Sequence, residues 1–134
     1  QMLNGCIGGL VAITAEPLMP SPLAAILIGA VGGVIVVYGT KFLLSLKIDD
    51  VVGAIPAHLF AGIWGTLAVP ITNPDTNFGA QLLGVISINA FVFIVSLIVW
   101  AFMKNTFGIR LSKEGELKGT DVTETGVIAY AIRD

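Results

Sequence analysis

The sequence predicts an all-α membrane protein, a polytopic transmembrane helix bundle, and three observations carry that prediction. Of 134 residues, 55% are hydrophobic and only 12% are charged, about half the charged fraction of an ordinary soluble domain, and mean hydropathy is +0.91. Long apolar runs follow one another. Val51–Ile71 holds no Lys, Arg, Asp or Glu, and Phe78–Met103 is 26 residues without a charge, each enough to cross a hydrocarbon core of about 30 Å as a helix. The third observation is segregation of charge. If successive helices alternate direction, all seven basic residues (Lys41, Lys47, Lys104, Arg110, Lys113, Lys118, Arg133) fall near or on one side.

The elements follow in order. Residues 1–15 read as a truncated helical segment, too short to span, carrying the close-packing pair Gly5-xxx-Gly9. Glu16–Pro22 has three prolines in seven residues and reads as a connection. Ser21 caps and Pro22 opens the next helix, expected over 22–46, with Gly29-xxx-Gly33 on one face and Lys41 positioned to reach a membrane surface. After the polar turn Lys47–Asp50 comes a helix expected over 50–71. Thr72–Asn77 is a turn, and the last long helix, 78–104, ends on Trp100 and Lys104, residue types that anchor helices at the interface. The transmembrane part thus covers residues 1–104. Residues 105–134 hold four of the seven basic and five of the nine acidic side chains, a solvated tail that the charge rule places in the cytoplasm.

Function classes fall away quickly. A net charge of −2 without a basic run excludes a nucleic-acid partner. One cysteine, Cys6, and one histidine, His58, leave no disulfide and no metal cluster, no nucleophile–base pair is visible, and no cofactor or enzyme activity is implied. His58 is then the one candidate acid/base inside the membrane, where an imidazole without a partner or a task is costly. Beside it Gly53, Ala57, Ala61 and Gly65 recur every four residues and form a strip that lets other backbones approach, so His58 is expected in a tight interior. Asp49 and Asp50 read as caps of free N–H groups at the start of that helix. Pro56 predicts a local kink, and Trp64 reads as packing. On the residues alone, His58 is either a relay group or a packing residue bonded to a neighbouring helix.

Asp49–Leu67, DDVVGAIPAHLFAGIWGTL, resembles the histidine-bearing penultimate helix of the ammonium transporter (Amt/Mep/Rh) family, usually close to DDPVGAxxxHGxxGIWGTL. In that match Gly62, Trp64 and Gly65 are pore-helix packing residues. Asn4–Ala15 is similar to the family's NGxLAGLVAITA helix, Ala25–Tyr38 to the helix after it, and Gly108–Tyr130 to the cytoplasmic tail, through Arg110, Gly119, Asp121, Gly126 and Tyr130. The resemblance implies a C-terminal fragment of an eleven-helix ammonium transporter fold: helices eight through eleven plus a regulatory tail. It further implies a homotrimer in the lipid bilayer of a plasma or inner membrane, with ammonium or ammonia as the transported species. Each subunit has a narrow hydrophobic pore in which a histidine pair, His58 being one, relays the proton. It also implies, at the cytoplasmic face, a PII-type signal protein as a partner.

The sequence departs from the family pattern at four positions. Leu59 stands for the Gly after the histidine and Ala61 for the usual Cys, while Thr125 and Val127 flank Gly126 where His and Glu are usual. Thr123 matches a threonine phosphorylated in plant relatives and reads as structural in this tail. Two further readings remain at this stage: an ammonium sensor of the same fold, and a structural membrane bundle.

Overall fold

The computed structural model describes residues 2–18 and 20–129. Every regular element among them is helical: α1 (Met2–Ile13), α2 (Pro22–Ser45), α3 (Ile55–Thr72), α4 (Phe78–Thr106) and α5 (Lys113–Lys118). By length and composition α2, α3 and α4 can each cross a membrane, whereas α1 is a shorter apolar helix. The chain forms two compact units whose boundary falls inside α4, between Ala90 and Phe91.

In the first unit α1, α2 and α3 form a layer held by the absence of side chains. The glycine pairs face each other in antiparallel register, Gly9 on Gly29 and Gly5 on Gly33: a Cβ on Gly9 would lie 3.1 Å from the Gly29 carbonyl oxygen. Gly32 is tighter, since a Cβ there would stand 2.7 Å from both the Ala12 Cβ and the Gly8 carbonyl oxygen. Lipid tails are as apolar as leucine, so helices in a bilayer gain from close backbone approach and not from hiding apolar surface. Val36, Ala57 and Ala61 form one buried cluster and Ala12, Ile28 and Ala68 another, joining all three helices. α4 buries no residue.

One helix start is built as the sequence predicts, and a second side-chain cap comes from the turn before α4. Ser21 Oγ accepts the Ala24 N–H at 3.3 Å with Pro22 in the first position. Asn77 Oδ1 accepts the Gly79 N–H at 2.7 Å and the Ala80 N–H at 3.3 Å, opening α4. The end of α2 carries strain. Lys47 adopts φ +58° so that its N–H reaches the Leu44 carbonyl and the Ile48 N–H reaches that of Leu43, a Schellman closure with lysine where glycine is favoured.

The second unit contains the tail. Ser112 Oγ accepts the Gly115 N–H at 3.1 Å to cap α5, and Arg110 grips Glu116 in an exposed ion pair. A π-helical turn, Asp121–Thr125, follows and ends on Gly126 at φ +69°. Gly115 lies inside α5, buried against the Thr123 methyl. The local Ser112 cap lets the helix run through it.

Candidate functional site

The entry into α3 is where sequence and structure part. The helix starts at Ile55 and not near Asp50, because Gly53 at φ +72° breaks the backbone between them. Asp50 folds forward over the break: Oδ1 accepts the Ala54 N–H at 2.9 Å and Oδ2 the Ile55 N–H at 2.8 Å, satisfying the first free donors with a carboxylate at the positive end of the helix. Asp49 is exposed, and among the described residues its carboxylate accepts no hydrogen bond. The cap is therefore Asp50. This later start also moves Pro56 into the first turn, where its missing N–H costs nothing, so the kink expected of an interior proline has no cause.

From Ile55 to Phe60 the backbone is π-helical, one residue wider per turn than the α-helix that continues from Ala61. His58 is carried on this turn. The small-residue strip does what its spacing predicts: Gly53, Ala57, Ala61 and Gly65 are all buried, with Ala61 wholly inaccessible. Its burial is also what exposes the histidine. One residue along a helix is a rotation of about 100°, so a strip that turns Ala57 and Ala61 onto α1 and α2 turns His58 away from them. Within this chain His58 is exposed, turned off the packed layer, so the tight interior expected of it is not supplied by α1 and α2.

That face is one wall of an open cleft of about 310 Å³. From α3 it is lined by His58, Leu59, Gly62, Ile63 and Thr66, and from the first half of α4 by Gln81, Gly84, Val85, Ile88 and Asn89. Both sets recur at helical spacing, so two continuous stripes face each other. Leu59, bulkier than the glycine its position suggests, lines the cleft directly, whereas Ala61 is buried against α2. The polar wall is sparse. Asn89 Nδ2 donates to its own helix at the Val85 carbonyl, 2.7 Å away. Among the described residues no group of His, Cys, Asp and Glu is placed to hold a metal.

Trp64 is a strut. It is half-buried against Ala12, Ile28 and Ala68, and its indole N–H donates to the Ile28 carbonyl of α2 at 3.0 Å. Gly62 is half-buried, in ordinary contact range of Val11.

In the tail, Asp121 is the organising side chain. Its Oδ2 accepts the Ala129 N–H at 2.9 Å, and that bond, with a second from the Val122 amide, holds its carboxyl below the usual 3.8. Thr123 Oγ1 donates to the carbonyls of Gly119 and Gly115 and so is engaged within the tail. Gly119 closes α5 at φ +96°. Arg110 is the ion-pair partner already described, and Tyr130 lies outside the described residues.

Two polar contacts were not legible from the sequence. Asn4 Nδ2 donates to the Val52 carbonyl at 2.7 Å, and Asn73 Nδ2 donates to Glu16 Oε2 at 2.9 Å. The polar liners Gln81 and Asn89 did leave a signal, two amides eight residues apart in the uncharged stretch Phe78–Met103.

Long apolar helices, glycine-mediated packing and a lone histidine on an otherwise uncharged spanning segment define a multi-pass helical membrane protein. Residues 1–130 match the family model described as the Ammonium Transporter Family, and the chain belongs to that family. It is 38% identical to ammonium transporter Amt2 of Archaeoglobus fulgidus over 148 residues, covering 95% of this chain and 31% of the relative. It is 37% identical to ammonium transporter Amt1 of Haloferax mediterranei, covering 96% of this chain and 26% of that protein. An ammonium transporter of Bacillus subtilis is 31% identical, with 96% and 36% covered. The chain thus spans about a third or less of the length of these relatives, which are named as transporters and not as enzymes.

Proposed function

We propose that this chain is the C-terminal part of an ammonium transporter, helices eight through eleven plus the tail, and that His58 is one of two histidines along its conduction path. The observation that carries this reading is the placement of His58. In a membrane family whose relatives are named for ammonium, the chain's single imidazole stands on a widened helical turn, turned off the packed layer and into a cleft. In this reading the second histidine comes from a helix outside this chain and stands beside the same cleft.

The chemistry follows from the surroundings. A neutral imidazole accepts a hydrogen bond at one nitrogen and donates at the other, so it can hold ammonia and pass on a proton. Leu59 and Ile63 beside it offer no ligand to replace water around a cation, so hydrated potassium or sodium meets the full cost of desolvation. In this reading ammonium gives up its proton, ammonia crosses the apolar stretch, and His58 serves the proton's separate transfer.

The remaining assignments belong to the same proposal. The distribution of basic residues supports a cytoplasmic side for Lys47 and the tail, and in this reading the complete protein is a trimer. The tail, ordered about Asp121 and Arg110, docks on cytoplasmic loops and is the surface open to a PII-type regulator. Transport is favoured over a sensor or structural bundle because a purely structural histidine has no need of a cleft. The test is ammonium uptake by the full-length protein. His58→Ala is expected to insert and assemble normally but to lose most uptake at limiting ammonium, and normal uptake by a well-expressed variant would remove the assignment.

A further inference from the structure

The widened turn that carries His58 is seated on α2 at a glycine. Pro56 and Phe60, near the two ends of that turn, both reach Gly39. A Cβ on Gly39 would lie 3.2 Å from the Pro56 Cβ, and 2.6 and 3.1 Å from Cδ2 and Cε2 of the Phe60 ring. Pro56 is fully buried in this seat, and Ala57 beside it is buried in one cluster with Val36 of α2. The Ala61 N–H closes the turn by reaching back to the Pro56 carbonyl, five residues away. The backbone is therefore wide over the same span that the proline and the ring hold against α2.

The seat decides which way the histidine faces. With Pro56, Ala57 and Phe60 turned onto α2, His58 between them is carried to the far side, where it lines the cleft. The two holds differ in stiffness. Proline fixes its own φ, so the Pro56 Cβ cannot turn aside without moving backbone. The Phe60 ring comes as close as it does because Gly39 has no side chain. A methyl there would need about 0.8 Å of retreat from the ring, but only about 0.2 Å from Pro56, to restore ordinary contact at 3.4 Å. One end of the turn is then lifted more than the other, and His58, midway, moves by about 0.5 Å.

We infer that Gly39 and Phe60 are positioning residues for transport. The ring, seated over the bare backbone of Gly39 beside the buried Pro56, sets the place of the widened turn and so of the imidazole in the cleft. Neither residue lines the cleft itself. Their role rests on the proposed function of His58. A reacting group misplaced by an ångström loses on the order of 100-fold in rate, so half that displacement costs about tenfold. The effect is unequal for substrates of different size, because one methyl in a close-fitting apolar site is itself worth about tenfold or more.

The experiment uses the full-length transporter with Gly39→Ala, with Phe60→Val, and with both together. Valine has no δ or ε carbon, so in the double variant the added methyl occupies space that the ring has left. Ammonium and methylammonium uptake are measured per assembled protein, and His58 is located relative to α2 by cryo-electron microscopy. Gly39→Ala is expected to lower ammonium uptake about tenfold, to change the ammonium-to-methylammonium ratio by about threefold or more, and to move His58 by about 0.5 Å. The double variant is expected to return ratio, uptake and position toward the parent, closer than either single variant, because the two substitutions act on one contact. A variant that merely folds poorly lowers both uptakes together and leaves the ratio unchanged. A Gly39→Ala protein with the parent's ratio, an unmoved His58, or a double variant no closer to the parent than Gly39→Ala overturns the inference. If the parent protein carries neither substrate, the transport reading has failed, and the positions of His58 in the parent, single and double variants still decide whether this seat places it.

Discussion

Replacing Gly32 with alanine sets two opposed effects against each other. In a helix interior alanine is favoured over glycine by about 0.5–1 kcal/mol, so an unobstructed substitution stabilises. At Gly32 the new methyl would lie 2.7 Å from the Ala12 Cβ and from the Gly8 carbonyl oxygen, the latter backbone that no rotamer change can move. To restore ordinary contact at 3.4 Å, α1 and α2 must part by about 0.7 Å, which forfeits a quarter to a half of the dispersion energy along their shared face. Overpacking of this kind costs about 1–3 kcal/mol, so Gly32→Ala is expected to lose a net 1–2 kcal/mol. Gly5 in the same interface is the control: its Cβ would meet the Gly33 carbonyl oxygen at 3.9 Å, an ordinary contact, so Gly5→Ala is expected to be neutral or stabilising. Equilibrium unfolding of the detergent-solubilised full-length protein in dodecyl sulfate separates the two. If Gly32→Ala proves as stable as Gly5→Ala, the face-to-face glycine register is wrong.

Further outcomes follow from single contacts. Asp50→Ala leaves two N–H groups of α3 without their acceptor and is expected to destabilise by about 1–2 kcal/mol, with Asp50→Asn intermediate, in the same unfolding assay. Lys47→Gly removes a left-handed lysine and is expected to stabilise by about 1 kcal/mol; no gain would mean that the closure of α2 is not strained. The Asp121 carboxyl is held below 3.8, chiefly by the Ala129 amide, so its contribution to tail order is complete above that value and lost as pH falls through the lowered one. The Ala129 amide resonance of the tail should therefore be flat at neutral pH and move only in that acid range, and Asp121→Asn should abolish the transition. Deleting residues 119–134 is expected to lower uptake while trimers persist, and unchanged flux with an unchanged response to nitrogen status would leave the tail without a role.

The parts of the fold legible in the sequence are those governed by local chemistry. Continuous apolar runs marked α2 and α4, the Ser21–Pro22 pair marked a start, and four-residue spacing identified the strip that packs α3. What the sequence concealed depends on partners far along the chain. The start of α3 was misplaced because Asp50 looks like an ordinary cap, and only the left-handed Gly53 shows that its bonds reach forward across a break. The strip shows which side of α3 meets α1 and α2, but His58 lies a quarter-turn and more from it, and the sequence does not say what covers that side. The π-helical turn has no periodic signature, and neither do the Asn4–Val52 and Glu16–Asn73 hydrogen bonds, which join residues that only the packing of α1 on α3 brings together.

Loss of uptake on truncating His58 can arise in several ways, but a change in which ion passes can arise only along the path. Ammonium and potassium currents of the reconstituted full-length transporter, with His58 and with His58→Asp, are therefore the most direct measurement. A carboxylate in the cleft favours a cation over neutral ammonia, so the account predicts that the parent carries ammonium and excludes potassium while His58→Asp admits both. A His58→Asp protein that conducts ammonium and still excludes potassium would place His58 outside the conduction path.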